Sequence, residues 1–115
     1  RVREKAGVAE AGRSEAQANY DATVLRALEE MESAVAAYDR AHERLGILTE
    51  AVSSSTKAVD LAQQRFEGGL TDFLQVLDAQ RTLLDAENQL ASAHTQACTA
   101  LVALYKAAGG TWSVR

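Results

Sequence analysis

The sequence contains no proline and only seven glycines in 115 residues. Glycine is therefore the only strong helix breaker it can use. Aromatic residues make up 5% of the chain against 47% apolar, and twenty-three residues are alanine, a composition that makes thin helical seams rather than a thick globular core. A single cysteine, Cys98, excludes an internal disulfide, and no second thiol stands at metal-ligand spacing. Cys98 reads as a small apolar seam residue. No apolar run approaches the roughly 20 residues of a transmembrane helix, and no basic-then-apolar signal segment is present. Twelve basic and sixteen acidic residues are interspersed for a formal charge of -4, without the basic stripe that tracks a phosphate backbone. Nucleic acid is not an expected partner. The chain opens in mid-pattern with RVREKAG and no methionine, so it is expected to be a piece of something longer, and the lack of a targeting signal leaves location open.

What is present is periodic. Val24, Met31, Tyr38, Leu45, Val52, Val59 and Phe66 repeat every seven residues, the mark of a coiled-coil seam. Beside them runs a second stripe, Leu28, Val35, His42, Thr49, Thr56 and Gln63, which starts apolar and turns polar. A flank of mostly small residues follows: Ala27, Ala34, Ala41, Leu48, Ser55 and Ala62. This predicts a packed face that is broad near the start and narrows later. From Val76 the register restarts with Leu83, Leu90, Ala97 and Leu104, flanked by Leu77, Leu84, Ala91, Cys98 and Tyr105. A third line is alanine at every step: Ala79, Ala86, Ala93, Ala100 and Ala107. That line predicts close helix approach and neighbours on more than one side.

Between the two periodic tracts stands EGGLTD, Glu67 to Asp72. Gly68 or Gly69 can adopt the left-handed geometry that closes a helix, Thr71 or Asp72 can cap the next, and Phe66 and Leu70 can pack across the turn. The fold class expected is all-α: one long antiparallel helical hairpin with unequal arms. A helix over about 4–66, a tip at 67–71, a helix over about 72–107 and a tail at 108–115 make a single unit. At about 1.5 Å per residue the arms are about 95 Å and 54 Å long. The first overhangs the second, and its Val24, Leu25 and Leu28 need cover from an oligomer or from missing segments.

Chemistry is scarce. His42 and His94 are isolated, no HExxH spacing, Walker loop or GxSxG elbow occurs, and no catalytic residue, metal site or cofactor is expected. Acidic groups such as Glu29, Glu30 and Glu32 follow helical periodicity onto a solvated face. Asp78 differs in context. It stands two turns beyond the glycine pair on a leucine-rich run, with Arg81 within reach of an i,i+3 ion pair.

The run RFEGGLTDFLQVLDAQRTLLDAENQLASA, the later ALVALYKAAGGTW and the upstream NYDATVLRALEEMESAVAAY resemble the C-terminal repeat of TolC-type outer-membrane efflux channels. The likeness is strongest to the lipoprotein branch that serves resistance-nodulation-division pumps. An aromatic residue, a glycine three positions on, a VLDAQR-like block and an LYKALGGGW-like block occur there in this order. Phe66, Gly69, Val76 to Arg81 and the LYKAAGGTW tail line up with them.

The resemblance implies a passive export conduit and no enzyme. It implies a homotrimer whose long helices form an α-helical barrel in the periplasm below an outer-membrane β-barrel, with a periplasmic adaptor and an inner-membrane pump as partners. By the same resemblance Asp78 matches a gate aspartate, Arg81 a gate arginine and Leu74 an apolar constriction residue. Gly68, Gly69, Leu70 and Thr71 match the turn that meets the adaptor. A second acidic position of some members is Gln75 here, and a usual tyrosine is Phe66. The membrane strands and the lipidated cysteine of that branch are not in this sequence, and Cys98, in mid-helix, does not replace the latter. The alternative reading is a structural coiled-coil hairpin, such as a periplasmic adaptor or scaffold, which would share the heptads and the turn. Without its barrel neighbours the segment is expected to self-associate through its exposed seam into a bundle.

Overall fold

The computed structural model describes the backbone of residues 2–113 and the side chains of residues 5–109. It is a hairpin of two helices, α1 over Val2–Glu67 and α2 over Phe73–Ser113, packed against each other in a rod of 101 × 18 × 13 Å. The long dimension is that of α1 itself, since 66 residues at about 1.5 Å each span about 99 Å. No strand occurs among the described residues.

The seam between the helices is regular. On α1 the seam runs Ala27, Met31, Ala34, Tyr38, Ala41, Leu45, Leu48, Val52, Ser55, Val59 and Ala62, and on α2 Val76, Ala79, Leu83, Ala86, Leu90, Ala93, Ala97, Ala100, Leu104 and Ala107; Ala37, Ala51 and Ala108 are partly covered beside it. Steps alternate between three and four, the spacing of knobs at the a and d positions of a heptad. The most deeply covered side chains are Val76 and Ala93, each 1% exposed. Beside them Leu48 and Ala86, each 9% exposed, complete a core of four residues among the described ones.

Three expectations change. The stripe from Leu28 through Val35 to Gln63 is exposed along its length, so the packed face is two lines wide throughout and does not broaden near the start. The line of Ala27, Ala34, Ala41, Leu48, Ser55 and Ala62 takes the inner place. The alanine line packs within the hairpin, and the unpartnered line is Leu77, Leu84, Ala91, Cys98 and Tyr105. Cys98 sits on that exposed line and not in the seam.

The third change is at the end of α2. Gly109 and Gly110 predict a stop at 107, yet the helix runs to Ser113. Glycine disfavours a helix by up to about 1 kcal/mol but does not forbid it. A left-handed residue is a common way to close a helix, and among the described residues only Gly69 is one. Residues 114 and 115 of the expected tail lie outside the described residues. At the other end, α1 side chains from 5 to 26 are all exposed, Val8, Tyr20 and Leu25 among them, because α2 is too short to reach them.

Candidate functional site

The tip is built by backbone hydrogen bonds. Gly68 N–H donates to the Gln64 carbonyl at 3.0 Å, Gly69 N–H to the Phe66 carbonyl at 3.0 Å and Leu70 N–H to the Arg65 carbonyl at 2.8 Å. The last two, with Gly69 at φ +73°, make the Schellman closure of α1. The left-handed residue lets the chain reverse without a side-chain clash. Asp72 then precedes the first residue of α2, the place where a carboxylate suits the free N–H groups of a helix start.

An aromatic clasp closes the turn. Phe66 and Phe73 have ring centroids 5.3 Å apart at 58°, the tilted arrangement that phenyl quadrupoles favour. Leu70, expected to pack against Phe66 across the turn, is 78% exposed. Phe73 was missed from sequence, although aromatic residues on either side of a short turn were the available signal. Thr71 is the odd residue of the tip: its Oγ1 is buried and has no hydrogen-bond partner.

Leu74, Asp78 and Arg81 follow on α2 at steps of four and three, which puts them on one line of the helix surface. All three are exposed, Leu74 at 66%, on the side away from the seam residues Val76, Ala79 and Leu83. The structure thus brings the three into one exposed row directly above the tip. The expected ion pair between Asp78 and Arg81 is not formed among the described residues. Both groups are hydrated, and a surface pair worth about 0 to 1 kcal/mol does not outweigh the entropy of fixing two side chains. The Asp78 carbonyl accepts a hydrogen bond from Thr82 Oγ1 at 3.1 Å.

Elsewhere the surface is chemically quiet. His42 stacks on Tyr38 with centroids 5.9 Å apart and planes at 19°, His94 is exposed, and no group of three or more possible metal ligands occurs among the described residues. No described helix is long and apolar enough to cross a membrane. Sequence reading missed one groove, in which Arg40 and Arg44 of α1 face Thr95, Gln96 and Thr99 of α2 over a floor of alanines. The heptad positions of the two arginines, outside the seam on one side, were its signal.

Comparison with known proteins gives a consistent answer. Residues 1–110 match the family described as outer membrane efflux protein. The chain is 37% identical over 112 residues to outer membrane protein OprJ of Pseudomonas aeruginosa, covering 97% of this chain and 23% of that protein. It is 35% identical over 97 residues to the solvent efflux pump outer membrane protein SrpC of Pseudomonas putida, covering 84% of this chain and 21% of the relative. Among solved structures, the outer-membrane channel OprN matches with a TM-score of 0.69 at 39% identity, over 96% of this chain and 25% of that one. The chain thus spans about a quarter of the length of the proteins it matches.

Proposed function

This chain belongs to the outer membrane efflux protein family, and from that premise we propose that it is the periplasmic hairpin of an outer-membrane efflux channel, carrying the pore gate and the adaptor-docking tip. In this reading the whole protein is a homotrimer in the outer membrane and a passive conduit without catalysis. A periplasmic adaptor and an inner-membrane pump are its partners. The observation that carries the reading is the single exposed row of Leu74, Asp78 and Arg81 beside the tip. Such a row is free to line an axis shared by three copies while the opposite side of α2 stays in the seam.

The physical logic is electrostatic. Three Asp78 carboxylates brought round one axis repel each other unless they are paired or hydrated. Arg81, one turn on, supplies a cation for each, so a closed ring is held by ion pairs between subunits that the isolated hairpin does not make. Leu74, one turn nearer the tip, adds an apolar constriction. Docking at Gly68, Gly69, Leu70 and Thr71 then shifts the helix ends and opens the ring, a small interface shift of the kind that moves packed helices between two arrangements.

The test is Asp78→Cys in the full-length parent protein with Cys98→Ser, in membranes. Inter-subunit disulfides that block efflux and are reversed by reductant are expected. Efflux unaffected by oxidant, with no crosslinked subunits, would remove Asp78 from the pore axis and reject the gate.

A further inference from the structure

The groove between the helices has a volume of about 530 Å³, within the range of about 300–1,000 Å³ that small-molecule sites occupy. Arg40 and Arg44 border it on α1 and Thr95, Gln96 and Thr99 on α2, with the seam residues Ala41 and Ala100 between them. An apolar floor thus meets a rim with two cations.

The two arginines stand four residues apart, one turn from each other, with roughly 6 Å between their β-carbons. Like charges at that spacing repel. No carboxylate relieves them: neither forms an ion pair among the described residues, Asp39 lines the opposite flank, and Glu43 is outside the groove lining. From α2 none can come at this height, because the chain has no aspartate or glutamate after Glu87. Lys106, one heptad beyond Thr99, adds a further cation on the same line. The hydroxyls of Thr95 and Thr99 donate to the carbonyls of Ala91 and Thr95 at 3.2 and 2.9 Å, so their protons are engaged within α2. Donors left to the groove are the two guanidinium forks and the Gln96 amide, and such forks hold carboxylate, sulfate or phosphate groups bidentately.

We propose that this groove binds soluble amphipathic organic anions. The oxyanion head sits between Arg40 and Arg44 with Gln96 beside it, and a single alkyl or aryl body lies on the alanines toward Ala103. Because the ligand touches both helices, its binding ties α1 to α2 and stabilises the folded hairpin. The site is apart from the tip and does not rest on the transport reading.

The experiment titrates the 115-residue chain with octyl phosphate below its micelle concentration and follows backbone amide resonances. Saturable shifts are expected at Arg40, Arg44, Thr95, Gln96 and Thr99. Arg40→Gln with Arg44→Gln should weaken binding about tenfold or more with helical circular dichroism unchanged, whereas Arg26→Gln with Arg65→Gln, outside the groove, should bind as the parent does. Ala103→Leu, at an exposed lining position, should fill the floor and weaken octyl phosphate without changing the helix content. Inorganic phosphate and octyl glucoside, which carry the head or the chain alone, should each bind about tenfold more weakly or less. No saturable shift at these residues, equal loss with either arginine pair, or inorganic phosphate binding as tightly as octyl phosphate, an adventitious ion only, would each overturn the proposal. Shifts produced by phosphatidylglycerol vesicles and not by octyl phosphate would also overturn it, by making the ligand a membrane lipid.

Discussion

Phe66 at the end of α1 and Phe73 at the start of α2 hold their rings 5.3 Å apart at 58° across the turn. They form the only aromatic contact that joins the two helices among the described residues. Both rings are about half exposed, at 43% and 51%, so their value lies in fixing the turn more than in burying area. Such pairs contribute about 0.5–1.5 kcal/mol beyond burial. Phe73→Ala is expected to destabilise the hairpin by about 1 kcal/mol and to speed amide exchange at residues 66–75. Phe66→Tyr, which keeps the ring, should leave exchange at the parent rate.

The glycines separate into two kinds. Gly46 lies inside α1 with open space where a methyl group would stand, no other atom coming within 4 Å, whereas Gly69 holds φ +73°. Gly46→Ala removes backbone freedom from the unfolded chain and should stabilise by about 0.5–1 kcal/mol. Gly69→Ala forces a side chain into left-handed backbone and should cost about 1–2 kcal/mol. Urea unfolding of the two variants should move the midpoint in opposite directions.

Packing at the alanine line makes a sharper contrast two residues apart. Ala93 is 1% exposed whereas Ala91 is exposed. Ala93→Leu drives a larger side chain between closely approaching helices and should destabilise by about 1–3 kcal/mol. Ala91→Leu should fall within about 0.5 kcal/mol of the parent. Equal loss at both sites would mean that the seam faces differently from the arrangement described.

How much is legible in the sequence differs between fold and site. The line from Met31 to Val59 and its partner from Val76 to Leu104 are legible because large apolar residues at a seven-residue repeat have one use. The second line of each helix is not settled by the same signal: Ala27 and Leu28 are adjacent and compete, and hydrophobicity favours Leu28. The structure puts the smaller line inside instead, with Leu48 as its one large side chain, and Ala41 and Ala100 border the same groove. The end of α2 is hidden for a related reason: Gly109 and Gly110 permit a stop without requiring one. At the candidate site, periodicity can place Leu74, Asp78 and Arg81 on an exposed row, but their roles come from family likeness. The isolated hairpin contains no second copy against which a gate could close.

Thr71 and Leu70 separate stability from docking at the tip. Its hydroxyl oxygen is buried without a partner, and an unsatisfied buried polar group costs about 1–3 kcal/mol relative to a satisfied one. Thr71→Val keeps the branched shape and removes the unsatisfied group, so the 115-residue hairpin should become more stable, by up to about 1 kcal/mol because the residue is only partly covered. The same burial puts the hydroxyl out of a partner's reach, so if the tip is the docking surface proposed above, the contact falls to the exposed Leu70. In the full-length channel Thr71→Val should then leave adaptor binding and efflux unchanged, whereas Leu70→Asp should weaken both while the trimer persists. Loss of adaptor binding by Thr71→Val in a hairpin that stays stable would show instead that the turn opens on docking and exposes the hydroxyl.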